Sequence, residues 1–153
     1  MKLTGQLLTL ALCLLTALSA AAAPRKFTLQ SPSGTLRVEV AATDSITYRL
    51  YHGDDLMLGD SPLSLTLGDG RVLGVNDRLS GTSRRSADEV IATPIYRKQS
   101  IEDKYNELTL KFKGYNVIFR AYDSGMAYRF ETTARKPFTV IGEQATFRFP
   151  ADH

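Results

Sequence analysis

The chain has 153 residues, of which 43% are apolar and 23% charged, and its formal net charge is +3. That length allows one domain with a sizeable core, and the composition is globular, which excludes an extensively disordered chain. Lysine and arginine are spread along the sequence, so the modest positive charge offers no concentrated basic tract for nucleic acid.

Met1 to Ala23 carries Lys2 near its start, an apolar run from Leu7 to Leu18 and small residues from Ser19 to Ala23. This is the three-part form of a secretory signal peptide. The apolar run is shorter than the ~20 residues that span a membrane. Pro24 hinders cutting directly before it, so cleavage is expected after Ala20, Ala21 or Ala22. The organisation expected is therefore a signal peptide over 1–22 and a mature domain over 24–153, exported to the periplasm or the extracellular space of a bacterium, with no membrane association after cleavage. Cys13, the one cysteine, lies inside the apolar run after Leu12, which does not fit a lipoprotein site. The mature chain then has neither disulfides nor thiolate metal ligands, and packing alone must stabilise it.

From Pro24 onward the chain reads as strand after strand. Thr35 to Ala41 alternates, with Leu36, Val38 and Val40 on one face and Arg37 and Glu39 on the other. Ile46 to Tyr51 follows a short turn, and His52-Gly-Asp-Asp55 leads into a short strand over Leu56 to Leu58. Further strands are predicted over Leu63–Leu67, Arg71–Val75, Glu89–Ala92, Tyr96–Ile101, Glu107–Lys113, Phe138–Ile141 and Ala145–Phe149. Turn signals recur at Ser33-Gly34, Gly53-Asp54, Gly59-Asp60, Asp69-Gly70, Lys113-Gly114 and Ile141-Gly142, the spacing of a sandwich or barrel. Asn76 to Asp88 is the least patterned stretch and is expected to be a long exposed loop. The fold class is all-β, an antiparallel β-sandwich.

The strongest local signal is a hairpin. Tyr115 to Tyr122 and Met126 to Thr132 are rich in aromatic and β-branched residues, and Asp123-Ser124-Gly125 between them reads as a three-residue loop with Gly125 at positive φ. That loop sets Tyr122 opposite Met126, Arg120 opposite Tyr128 and Ile118 opposite Phe130. Apolar groups on both faces place the hairpin centrally in its sheet.

Arg120-Ala-Tyr-Asp-Ser-Gly-Met-Ala-Tyr-Arg-Phe130 resembles the Arg-x-Tyr-Asp-x-Gly-x-Ala-aromatic-Arg-aromatic signature in the N-terminal domain of glycoside hydrolase family 97, bacterial α-glucosidases and α-galactosidases. Ser31-Pro-Ser-Gly-Thr-Leu36 is similar to that domain's opening, Asp60-Ser-Pro-Leu63 to its Ser-x-Leu step, and Asp103-Lys-Tyr-Asn-Glu107 to its Asp-x-Tyr-Asn-Glu. Ser124 stands where the family often has a second Asp, a change a turn tolerates. The resemblance implies a β-supersandwich of the galactose-mutarotase-like kind, of which this chain is the first part. It also implies a partner, a catalytic (β/α)8 barrel of the same longer chain, with calcium in the full-length enzyme and α-linked oligosaccharides as its substrates.

A glycosidase needs two carboxylates flanking the scissile bond. Asp54, Asp55, Asp60, Asp69, Glu102, Asp103 and Asp123 sit in turns or on outward strand positions, where aspartates usually bond their own backbone. No catalytic, cofactor-binding or metal-ligating residue is assigned to this chain, because the family's catalytic and calcium-binding residues come mainly from the barrel. His52 and His153 have no partner at ligand spacing. Lys113-Gly-Tyr-Asn-Val-Ile-Phe119 partly matches an RNA-recognition strand, but Asn116, Val117 and Arg120 break that pattern and Lys113-Gly114 reads better as a turn. Arg120, Arg129 and Glu131 are charges on central strands. Sugar contact is one reading; the favoured one is internal pairing, Arg120 over Tyr128 and Arg129 with Glu131. The reading is thus a non-catalytic N-terminal part of an exported glycoside hydrolase that packs on the barrel and shapes its carbohydrate site. The alternatives are a free-standing carbohydrate-binding module and an interaction scaffold.

Overall fold

The computed structural model describes residues 25–92, 100–133 and 135–151. The signal segment, Cys13, Pro24 and His153 lie outside them, as does most of the strand predicted over Tyr96–Ile101. Ten strands follow in chain order: β1 (Arg25–Gln30), β2 (Leu36–Ala42), β3 (Ile46–His52), β4 (Asp55–Leu67), β5 (Val72–Leu73), β6 (Gly81–Ala92), β7 (Ser100–Phe112), β8 (Tyr115–Tyr122), β9 (Gly125–Thr132) and β10 (Val140–Ala145). They form two antiparallel sheets, β1-β2-β3-β4-β10 with β5 beside β4, and β6-β7-β8-β9.

The alternating strands supply the core between the sheets. Val38 and Val40 of β2, Ile46 and Tyr48 of β3, and Leu63 and Leu67 of β4 meet Leu108 and Leu110 of β7 and Val117, Phe119 and Ala121 of β8. The Tyr48 ring lies 6.2 Å from Phe119 and 6.0 Å from Tyr128, tilted to both, the edge-to-face range in which aromatic pairs add to area burial. Polar ties close one side of the sandwich. Asn106 Nδ2 donates to the Gln30 carbonyl at 2.9 Å, Arg84 Nη2 to the Thr28 carbonyl at 2.8 Å, and Ser33 donates N–H (2.9 Å) and Oγ–H (2.6 Å) to Asp123 Oδ1.

Several expectations are corrected. The predicted loop over Asn76–Asp88 contains most of β6, which pairs with β7 from Gly81↔Lys111 to Ala92↔Ser100. Its backbone is held by the ladder while both its faces are largely exposed, so no apolar alternation marks it. Strand β1 went unpredicted because only Leu29 is fully buried on it. The segments over Leu56–Leu58 and Leu63–Leu67 are one strand: Gly59-Asp60 makes no turn, and the β3–β4 register shifts nearby. Arg71–Val75 shrinks to Val72–Leu73. The two segments over 138–149 are replaced by β10, with Ile141-Gly142 at a register shift in place of a turn. Turns at Ser33-Gly34, Gly53-Asp54, Asp69-Gly70 and Lys113-Gly114 fall where predicted.

The hairpin exists, but its loop is Asp123-Ser124, since Gly125 already pairs with Tyr122. Gly125 does not take positive φ. Arg120 therefore faces Ala127, and Phe119 faces Tyr128. A slip of one residue exchanges the faces of a strand, so Met126, Tyr128 and Phe130 join Val117, Phe119 and Ala121 on the core side. Strand β8 is internal, whereas β9 is an edge among the described residues.

Candidate functional site

The outer face of the second sheet carries the densest polar cluster. Arg85, Glu107 and Arg120 are cross-strand neighbours on β6, β7 and β8. Glu107 is 6% exposed, and its carboxylate accepts from Arg85 Nε at 2.8 Å and Arg120 Nε at 2.8 Å. Beside it, Tyr105 is buried beneath the Arg120 guanidinium, 4.1 Å from its ring centroid, and its hydroxyl accepts from Arg85 Nη2 at 2.5 Å. The Tyr122 ring packs 5.3 Å from Tyr105, and its hydroxyl donates to Asp103 at 3.3 Å.

Burial alone would raise the Glu107 pKa, but the hydrogen bonds and charges of Arg85 and Arg120 outweigh it and hold the carboxyl below its ordinary value. Glu107 is thus an acceptor with both oxygens occupied, which suits a structural brace and not proton donation. Two guanidiniums on one buried carboxylate offset its desolvation.

Arg120 is internally paired, as expected, but with Glu107 and Tyr105 in place of Tyr128, because the register slip carries Tyr128 to the other face. Arg129 pairs with Glu131 at 3.4 Å on the surface, as predicted. Among the candidate carboxylates, Asp69 accepts from the backbone and guanidinium of Arg71 in its own turn, and Asp123 clasps Ser33 of another loop. Asp60 lies within β4 and forms a two-point pair with Arg49 at 2.8 and 2.7 Å. Those hydrogen bonds keep the Asp60 and Asp123 carboxyls below their ordinary pKa. No site motif in the sequence singles out Glu107, nor Asp77, which accepts from the Tyr115 hydroxyl and the Gly74 N–H. The alternation of Tyr105 and Glu107 opposite buried Leu108 could have flagged the first.

No group of three His, Cys, Asp or Glu side chains that could hold a metal occurs among the described residues. His52 ends β3.

Several clefts open on the described sandwich, and two of them differ sharply in character. One, about 610 Å³, lies between β1 and β6 and is lined by Thr28, Gln30, Arg84, Arg85, Asn106 and Glu107 among others. The other, about 340 Å³, is apolar, lined by Tyr48, Leu50, Leu58, Met126, Tyr128 and Phe147. Phe147, on its wall, is 53% exposed.

The glycosyl-hydrolase 97 N-terminal family matches residues 29–153. A retaining alpha-galactosidase of Bacteroides thetaiotaomicron is 46% identical over 144 residues, covering 94% of this chain and 22% of that protein. A glycoside hydrolase family 97 enzyme from Pseudoalteromonas sp. strain K8, solved with acarbose, superposes with a TM-score of 0.70 at 21% identity over 81% of this chain and 20% of its own. A beta-arabinopyranosidase superposes at 0.73 with 26% identity, over 82% of this chain and 22% of its own. The chain thus spans about a fifth of the length of each of these relatives. It belongs to the glycosyl-hydrolase 97 N-terminal family.

Proposed function

We propose that this chain is the non-catalytic N-terminal β-sandwich part of an exported family 97 glycoside hydrolase, packed on a (β/α)8 catalytic barrel of the same longer polypeptide and helping to shape its carbohydrate site. The observation that carries this reading is the apolar cleft around Tyr128 and Phe147, at which Phe147 itself is half exposed. Contiguous exposed apolar surface marks an interface, and this one lies toward the C-terminal end of the described chain. The identity to a retaining alpha-galactosidase favours α-galactosides as substrates of the whole enzyme. Export rests on the signal-like segment over 1–22, and calcium, where used, on ligands from the barrel.

Hydrogen exchange tests the packing. In the longer polypeptide, β10 and residues 146–149 exchange more slowly than in the chain alone; equal exchange in both would place the barrel elsewhere.

A further inference from the structure

We propose that β6 pairs antiparallel with β6 of a second copy of this chain, Ser86 facing Ser86 across a twofold axis normal to the sheet. Strand β6 is twelve residues long and is the edge of its sheet among the described residues. Such an edge presents unpaired backbone groups that template a further strand. A uniform run of lysine would repel a second copy. Here Arg84 and Arg85 in the first half are followed by Asp88 and Glu89 in the second, so antiparallel pairing opposes unlike charges and parallel pairing opposes like ones.

Symmetry selects the register. A twofold axis normal to a sheet leaves each side chain on its own face, so residues equally spaced on either side of the axis meet. With Ser86 on the axis, Arg84 meets Asp88 of the second copy and Arg85 lies diagonal to its Glu89, both within the reach of cross-strand pairs. Centring on Ala87 would instead oppose Arg85 and Glu89, but Arg85 is already held by Glu107 and Tyr105. Arg84 spends one N–H on the Thr28 carbonyl and keeps the rest of its fork, and Asp88, which accepts from Lys104 through one oxygen at 2.8 Å, keeps its second oxygen for the pair.

Two further features fit. The cleft of about 610 Å³ beside Thr28, Gln30 and Arg84 gives the incoming strand's side chains room. Val90 and Ile91 at the far end of β6 are 73% and 47% exposed; in this register they lie opposite Thr82 and Gly81 of the second copy and lose that exposure.

Sedimentation of the purified mature chain, which has no thiol of its own once the segment holding Cys13 is removed, reads the association, and Ser86→Cys reads the register. A dimer is expected in which Ser86→Cys oxidises to a disulfide-linked pair, since residues facing each other across strands meet disulfide geometry, while Thr82→Cys does not. Arg84→Gln and Asp88→Asn should each weaken association by roughly two- to thirtyfold, the effect of losing two exposed ion pairs. A monomer at the highest soluble concentration overturns the proposal. So does a dimer that Ser86→Cys fails to link.

Discussion

Glu107 and Arg120 face each other across β7 and β8, carboxylate to guanidinium at 2.8 Å, on the side of the sheet turned away from the core. Arg85 closes on the same carboxylate from β6, so one buried charge braces three strands. Glu107→Ala leaves Arg120 over Tyr105 without its counter-charge and should cost about 2 to 3 kcal/mol. Removing the exposed Arg129 should cost under about 1 kcal/mol. Urea unfolding of both variants measures the difference.

The same carboxylate gives the fold a pH dependence. Its pKa is lower folded than unfolded, so the stability it contributes is complete above the unfolded value of ~4.3 and is lost as pH falls through the folded value. Unfolding free energy should therefore decline on acidification below about pH 5, and less steeply in Glu107→Gln. Equal slopes in the two proteins would show that Glu107 does not contribute.

Much of this was legible in the sequence, for reasons specific to each element. Leu36, Val38 and Val40 alternate because one face of β2 is buried, and Tyr115 to Tyr122 matches β8 because it packs on both faces. Of β6 only the end, Glu89–Ala92, was legible, because the order of the rest comes from the ladder to β7 and not from burial. That hid Arg85, and with it the third member of the Glu107 cluster. The Arg120 partner was misassigned for another reason. A loop of two residues and a loop of three share the signal Asp-Ser-Gly, yet they set opposite faces together, and only packing chooses between them.

Glycine shows the consequence. Gly125 has ordinary φ, and an added Cβ meets nothing within 4 Å. Gly74 has φ +88°, and a Cβ there would stand 3.0 Å from the Leu63 carbonyl oxygen. Gly74→Ala should cost about 1 to 3 kcal/mol, whereas Gly125→Ala should stay within about 0.5 kcal/mol. Thermal melts of the two variants decide, and the reverse order would restore the three-residue loop.

Tyr115 locks the Gly74 turn onto the second sheet. Its hydroxyl donates to Asp77 at 2.5 Å and accepts from the Gly74 N–H at 2.8 Å. Burial, with the Asp77 hydrogen bond, pushes the phenol well above its ordinary pKa. A raised folded pKa means that the stability it confers is complete below the unfolded value of ~10 and is lost as pH rises beyond it. Tyr115→Phe should cost about 1 to 2 kcal/mol at neutral pH and flatten the loss of stability under alkali. Urea unfolding across the alkaline range reads both effects.

A sandwich that serves a catalyst without being one should have no turnover of its own. Turnover of nitrophenyl α-galactosides and α-glucosides, with and without calcium, tests it most directly, using the purified chain beside a polypeptide in which it continues into a barrel. Hydrolysis is expected from the longer polypeptide and none from the chain alone. Turnover by the chain alone that survives further purification would contradict it.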